Sequence, residues 1–65
     1  MNELEGAVLA ALRKHGAMTT HRIAEVTGLT VVTVSPRIKP LRLKGLVEDS
    51  GARELRRSIW QAVPD

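Results

Sequence analysis

The chain has no cysteine, no phenylalanine and no tyrosine, and a single tryptophan, Trp60, among its 65 residues. Without cysteine there are neither disulfides nor thiolate zinc sites, so hydrophobic packing alone has to hold the fold together. A chain this short buries only about 60% of its unfolded surface, which leaves room for one domain over residues 1–65 and none for a large catalytic cleft. No apolar run approaches the ~20 residues needed to span a bilayer, and the amino end, Met1 to Glu5, is acidic, so a soluble cytoplasmic protein without a membrane partner is expected. There is no glycine-rich phosphate loop and no G-x-S-x-G turn, so Ser35, Ser50 and Ser58 have no nucleophile context. His15 and His21 stand six residues apart without a thiolate or third imidazole beside them, and the acids are scattered. Neither a metal site, nor a cofactor, nor enzyme chemistry is expected.

Charge is what the chain does have. Ten Lys and Arg against seven Asp and Glu give a net charge of +3, a weak argument for a polyanionic partner by itself. Its distribution says more. Glu3 and Glu5 lie at the amino end, whereas Arg37, Lys39, Arg42 and Lys44 fall in one segment and Arg53, Arg56 and Arg57 in another, with Glu48 and Asp49 between them. Taken alone, such runs are ordinarily solvated faces.

A first helix is expected from Asn2, whose side chain can cap it while Glu5 reciprocates as in a capping box. Leu4, Val8, Leu9 and Leu12, with Ala7 and Ala11, form its apolar stripe, and Arg13, Lys14 and His15 suit its carboxyl end before Gly16. Ala17 and Met18 suit a brief extended segment. Thr19 or Thr20 then caps a second helix running to about Thr27, with Ile23, Ala24 and Val26 inward and Gly28 as its terminator. Thr30 caps a third helix whose buried side is Val34, Ile38 and Leu41. Two capped helices around Gly28 have the spacing of a helix-turn-helix, which points to DNA.

Val32, Thr33, Pro36, Arg37 and Pro40 fall on the opposite and flanking sides of the third helix, where a duplex would lie. Each proline deletes a backbone donor and strains a helix interior. The spacing is read as one bent helix; the rival parse ends it before Pro36 and restarts it there, with Pro36 in a first turn. Gly45 ends the element. Leu46-Val47-Glu48 and Ser58 to Val63 then read as two strands joined by a long loop containing Gly51. Alternation puts Trp60 and Ala62 on one face and Ile59, Gln61 and Val63 on the other. With no other aromatic to share the volume, Trp60 is expected to be the largest core anchor; the alternative stacks its indole on a base.

This order of elements, with Thr20-His-Arg-Ile-Ala-Glu-Val-Thr-Gly-Leu29, Thr33-Val-Ser35 and Leu41-Arg-Leu-Lys-Gly-Leu-Val47, resembles the winged helix-turn-helix proteins, especially the MarR-like branch of bacterial and phage regulators. The resemblance spans nearly the whole chain. It implies an α+β fold of three helices with a C-terminal β-hairpin wing, and transcriptional control through double-stranded DNA. Carried over, it places Val32, Thr33, Pro36 and Arg37 in the major groove and Arg53, Arg56 and Arg57 on a wing against the adjacent backbone or minor groove.

Thr20, Arg22, Thr30, Lys39, Arg42 and Lys44 are the remaining candidates for phosphate contacts, helped by the capped helix starts. Five ion contacts correspond to a slope of about −4.5 in log affinity against log salt. Arg37 is the one strong candidate for guanine O6 and N7, while Val31, Val32 and Thr33 suit thymine methyls and the wing arginines suit groove width. MarR-like regulators dimerise through additional terminal helices, which this chain is expected to lack, so a monomer or protomers assembled side by side on DNA are expected. Two alternatives follow from the few base readers and the exposed valines and prolines: an architectural DNA factor, excisionase-like or accessory to replication, and a winged-helix adaptor that binds protein instead.

Overall fold

The computed structural model describes residues 2–64. It consists of three helices, α1 (Glu3–His15), α2 (Thr20–Thr27) and α3 (Val31–Leu43), followed by an antiparallel hairpin of β1 (Val47–Glu54) and β2 (Arg57–Ala62). This is the α+β arrangement expected from the sequence.

Each helix starts on a short polar side chain that satisfies an otherwise orphaned amide. Asn2 Oδ1 accepts from the Glu5 amide at 2.8 Å, Thr19 Oγ1 from the Arg22 amide at 3.2 Å and Thr30 Oγ1 from the Thr33 amide at 3.2 Å. Thr19, then, is the cap of α2, and Thr20 is its first residue. The capping box expected at Asn2 forms only by half. The Glu5 carboxylate turns instead to Lys44, accepting from Nζ at 2.8 Å and joining the first turn of α1 to the end of α3. That ion pair ranks above the reciprocal cap because Glu5 is buried, and an acid out of water needs a full opposite charge. The Lys44 ammonium, by donating to it, holds the Glu5 carboxyl below its ordinary range against the opposing effect of burial.

Gly28 closes α2 in the left-handed region at φ 76°, a conformation that costs a side-chain-bearing residue about 1–2 kcal/mol. The prolines of α3 do not break it. The helix is continuous through Pro36 and Pro40. By helical geometry they remove the donors for the carbonyls of Val32 and Pro36, which lie on the outward side, where water replaces them at little cost.

One cluster fills the interior: Val8, Leu9, Ala11 and Leu12 from α1, Met18, Ile23 and Ala24, then Val34, Ile38 and Leu41 from α3, and Val47. Ile23, Leu41, Val8 and Val34 are the largest side chains wholly removed from solvent. Two expectations about the core need correction. Val26 is not inward but 38% exposed, because an eight-residue helix has just over two turns and Ile23 and Ala24 already occupy its inner side. Trp60 is not the core's largest anchor; it packs against the cluster from outside, half-buried. A flat indole fits at the rim, between hairpin and helices, where the aliphatic residues leave no central volume for it.

The hairpin also differs from the expected pair of short strands. In place of a long loop, β1 runs on through Gly51 to Glu54, and the reversal takes two residues, Leu55 and Arg56, both at positive φ (50° and 66°). Consecutive left-handed residues make the tight hairpin turn ordinarily built from Asn-Gly, so Leu-Arg gives no sequence sign of it. Three residues of β1 oppose one of β2 between the Asp49–Trp60 and Arg53–Ser58 pairs. Asp49 Oδ1 accepts from the Gly51 amide and Ser50 Oγ from the Ala52 amide, holding this bulge. The extended segment expected at Ala17–Met18 is present: Met18 and Trp60 exchange both backbone hydrogen bonds at 2.9 Å, fastening β2 to the α1–α2 connection.

Candidate nucleic-acid interface

α3 presents its inner side, Val34, Ile38 and Leu41, to the core. Its spacing therefore turns Val32, Pro36, Lys39 and Leu43 outward, with Ser35 and Arg42 along one flank and Thr33 and Arg37 along the other. Val32 is 82% and Leu43 78% exposed. Thr33 is half-buried, and its hydroxyl lies 2.9 Å from that of Thr30. Arg37 is half-buried, with its Nε out of solvent and without an acceptor among the described residues.

Between the start of α2, the Ser35–Arg42 flank of α3 and the hairpin lies an open cleft of about 510 Å³, lined by Thr20, Ser35, Ile38, Lys39, Arg42, Leu43 and Trp60. Its edge is built by the Arg42 guanidinium lying over the indole of Trp60, 5.0 Å from the ring centroid, a cation–π contact that holds a long side chain in place. Of the expected site residues the fold thus brings together Thr20, Lys39 and Arg42. It adds Ser35 and Leu43, which sequence reasoning did not assign to the interface, and Trp60, which it placed in the core with stacking on a base as the alternative. Ser35 was accessible to it, one turn after Val31 and one before Lys39; the choice between the two readings of Trp60 was not, since its place depends on where the hairpin docks.

The remaining cations are sorted by partner. Arg22 pairs with Glu25 at 2.9 Å within α2, Lys44 with Glu5, and Arg53 lies 3.7 Å from Asp49 and donates to the Ser58 hydroxyl. Arg37, Lys39, Arg42, Arg56 and Arg57 make no ion pair among the described residues. Arg56 occupies the hairpin turn and Arg57 the first position of β2, both exposed and both remote in sequence from α3. Thr30 caps the start of α3. Among the described residues no three His, Asp or Glu side chains meet in a way that would hold a metal ion, and no helix is long and apolar enough to cross a membrane.

The profile of winged helix-turn-helix DNA-binding domains matches residues 1–48, which hold the three helices with the caps of the helix-turn-helix and the first residues of β1. The chain belongs to this winged helix-turn-helix DNA-binding family. Solved structures agree with the fold. A MarR family regulator from Neisseria meningitidis is 31% identical, with a TM-score of 0.78 over 97% of this chain and 45% of that one. The apo-Zalpha domain of zebrafish PKZ is 27% identical, with a TM-score of 0.83 over 97% of this chain and 95% of that one. The Zalpha domain of Carassius auratus PKZ, solved in complex with Z-DNA, is 23% identical, with a TM-score of 0.80 over 94% of each chain. The winged helix-turn-helix described here therefore spans less than half of the meningococcal regulator and nearly all of the Zalpha domains. Among curated proteins no sequence matches it.

Proposed function

We propose that the chain binds double-stranded DNA with a preference for sequence and serves as a small transcriptional regulator in the cytoplasm, at the nucleoid. In this arrangement α3 enters the major groove and the hairpin lies on the adjacent backbone or minor groove. The observation that carries it is the sorting of charge: among the described residues the cations of α3 and of the hairpin tip make no ion pair, although Glu54 lies opposite Arg57 in the hairpin register, whereas Arg22 of α2 and Lys44 at the end of α3 each hold an acid. Unpaired cations along one helix and one hairpin tip are what displaces counterions from a phosphate lattice. Val32, Thr33, Pro36 and Arg37 are assigned to the groove. Thr20, Arg22, Thr30, Lys39, Arg42, Arg53, Arg56 and Arg57 are assigned to phosphates, with Arg22 and Arg53 exchanging their acids for them. The protein acts as a monomer or as protomers placed side by side on the duplex.

Titration of isotope-labelled protein with a duplex pool at two salt concentrations tests this. Amide shifts should concentrate between Thr30 and Arg57, and affinity should fall with a slope of about −5.4 against log salt, at about 0.9 for each of the six cations assigned to phosphates. Amides that stay still in dilute salt would overturn the proposal in favour of a protein-binding adaptor. Salt-steep binding that selects no sequence would point to an architectural role instead. Equal losses for Arg37→Ala on preferred and scrambled duplexes would remove Arg37 as a reader of guanine.

The match over 94% of each chain with the Carassius auratus Zalpha domain, solved in complex with Z-DNA, makes left-handed duplex DNA a second candidate ligand. Circular dichroism of an alternating d(CG) duplex decides between the two. A spectrum that inverts on adding protein selects the left-handed form; binding without inversion selects the right-handed one.

A further inference from the structure

The outward side of α3 has little with which to read base edges by hydrogen bonds and much exposed carbon. Val32 and Leu43 are among the most exposed large hydrophobic residues of the chain. Pro36 is exposed and Pro40 half-buried. None of the four belongs to the core cluster, which α3 supplies through Val34, Ile38 and Leu41. Lys39 and Arg42 border this apolar strip and make no ion pair among the described residues.

Exposed aliphatic surface gains free energy only against other apolar surface. On the base edges of the major groove that surface is the pyrimidine C5-methyl group, presented by thymine and, through the same carbon, by 5-methylcytosine. Val32 and Pro36 are one helical turn apart, about 6 Å along the axis, close to two base steps of about 3.4 Å each. Lys39, less than a turn beyond Pro36, then falls toward a flanking phosphate. Cationic borders on an apolar strip match a groove whose floor carries methyl groups and whose walls carry negative charge.

We infer that Val32 and Pro36 read pyrimidine C5-methyl groups, so that the preferred ligand is a duplex offering such methyls two base steps apart. This rests on the DNA binding proposed above and specifies what is selected. Each methyl removed from water contributes roughly threefold to fourfold in affinity, about tenfold for two.

The test uses matched duplexes that differ only in the methyl. One pair is alternating d(AT) against alternating d(AU), and the other is d(CG) with and without 5-methylcytosine, each measured by fluorescence anisotropy on the wild-type chain, Val32→Ala and Pro36→Ala. Val32 is exposed enough that its truncation leaves the core intact, and Pro36→Ala restores a helix donor, so both variants should fold; far-UV circular dichroism verifies it. An affinity about tenfold higher for d(AT) than for d(AU), shrinking in both variants, supports the inference with thymine as the source of the methyl. The same pattern in the cytosine pair alone supports it with 5-methylcytosine as the source. Equal affinity within both pairs, with salt-dependent binding preserved, overturns the inference and leaves DNA binding standing. Loss of binding to every duplex overturns the DNA-binding proposal beneath it.

Discussion

The two helices of the helix-turn-helix begin alike and end up doing different work. Both are capped by a threonine, Thr19 for α2 and Thr30 for α3, and both bury aliphatic side chains in the same cluster. α2 satisfies much of its polar surface internally, with Arg22 paired to Glu25 and the Thr27 hydroxyl donating to the Ile23 carbonyl at 2.7 Å, and exposes only Val26, at 38%, among its large hydrophobics. α3 does not. Its other side shows water Val32, Pro36 and Leu43, a lysine that makes no ion pair among the described residues, and an arginine lying over an indole. Equal local chemistry with unequal residual surface separates a supporting helix from one that meets a partner, because what a surface leaves unsatisfied in itself is what association can gain from.

The comparison breaks first at the core, where both helices should be equally intolerant. Leu41→Ala in α3 and Ile23→Ala in α2 each remove a side chain with no exposure at all. Each should cost about 2–5 kcal/mol in urea unfolding, a large share of the stability of a domain this small. A mild effect at either site would place the true core elsewhere.

The charges should then separate the two helices. Lys39→Ala combined with Arg42→Ala should flatten the salt dependence of DNA binding by about 1.8 units of slope, at 0.9 per phosphate contact. Arg22→Ala should change the slope by less, since the Glu25 partner competes for its guanidinium. Equal changes would show that ion pairing in the free protein does not decide which cations meet phosphate. Removal of either cap, Thr19→Ala or Thr30→Ala, should cost about 1 kcal/mol. A larger loss at Thr19 would follow from its burial.

A smaller effect concerns the strut that joins α1 to the end of α3. Because the folded-state pKa of Glu5 is lowered from 4.5 by Lys44, the ionised carboxylate is favoured by folding. Its contribution is complete above about pH 4.5 and is lost as pH falls through the lower folded value. Glu5→Gln should therefore flatten the acid limb of a stability profile below that pH and leave its shape near neutrality unchanged. Smallest of all, Val32→Ala should alter unfolding by no more than about 0.5 kcal/mol, in contrast to Leu41→Ala on the same helix.

Much of this was legible because it is local. Caps, glycine stops and the periodicity of Val34, Ile38 and Leu41 act within a few residues, so helix limits near His15 and Thr27 and the stop at Gly45 follow from short-range chemistry. The winged helix-turn-helix follows from their order. The continuity of α3 through two prolines was legible for the same reason, since Thr30 caps it and its apolar spacing never breaks.

Other features depend on what lies across space. The length of β1 and its two-residue reversal come from strand pairing strong enough to hold Leu55 and Arg56 at positive φ, against their own preference. The position of Trp60 at a cleft rim, the escape of Val26 to the surface and the diversion of Glu5 from its cap to Lys44 each result from competition among elements far apart in the chain. By itself, then, the sequence determined which segments are helices, how they begin and stop, and that they form a DNA-binding family's fold. Only the tertiary structure decided which cations remain without partners and which carbon faces water, because pairing and burial are properties of contacts that local spacing does not contain.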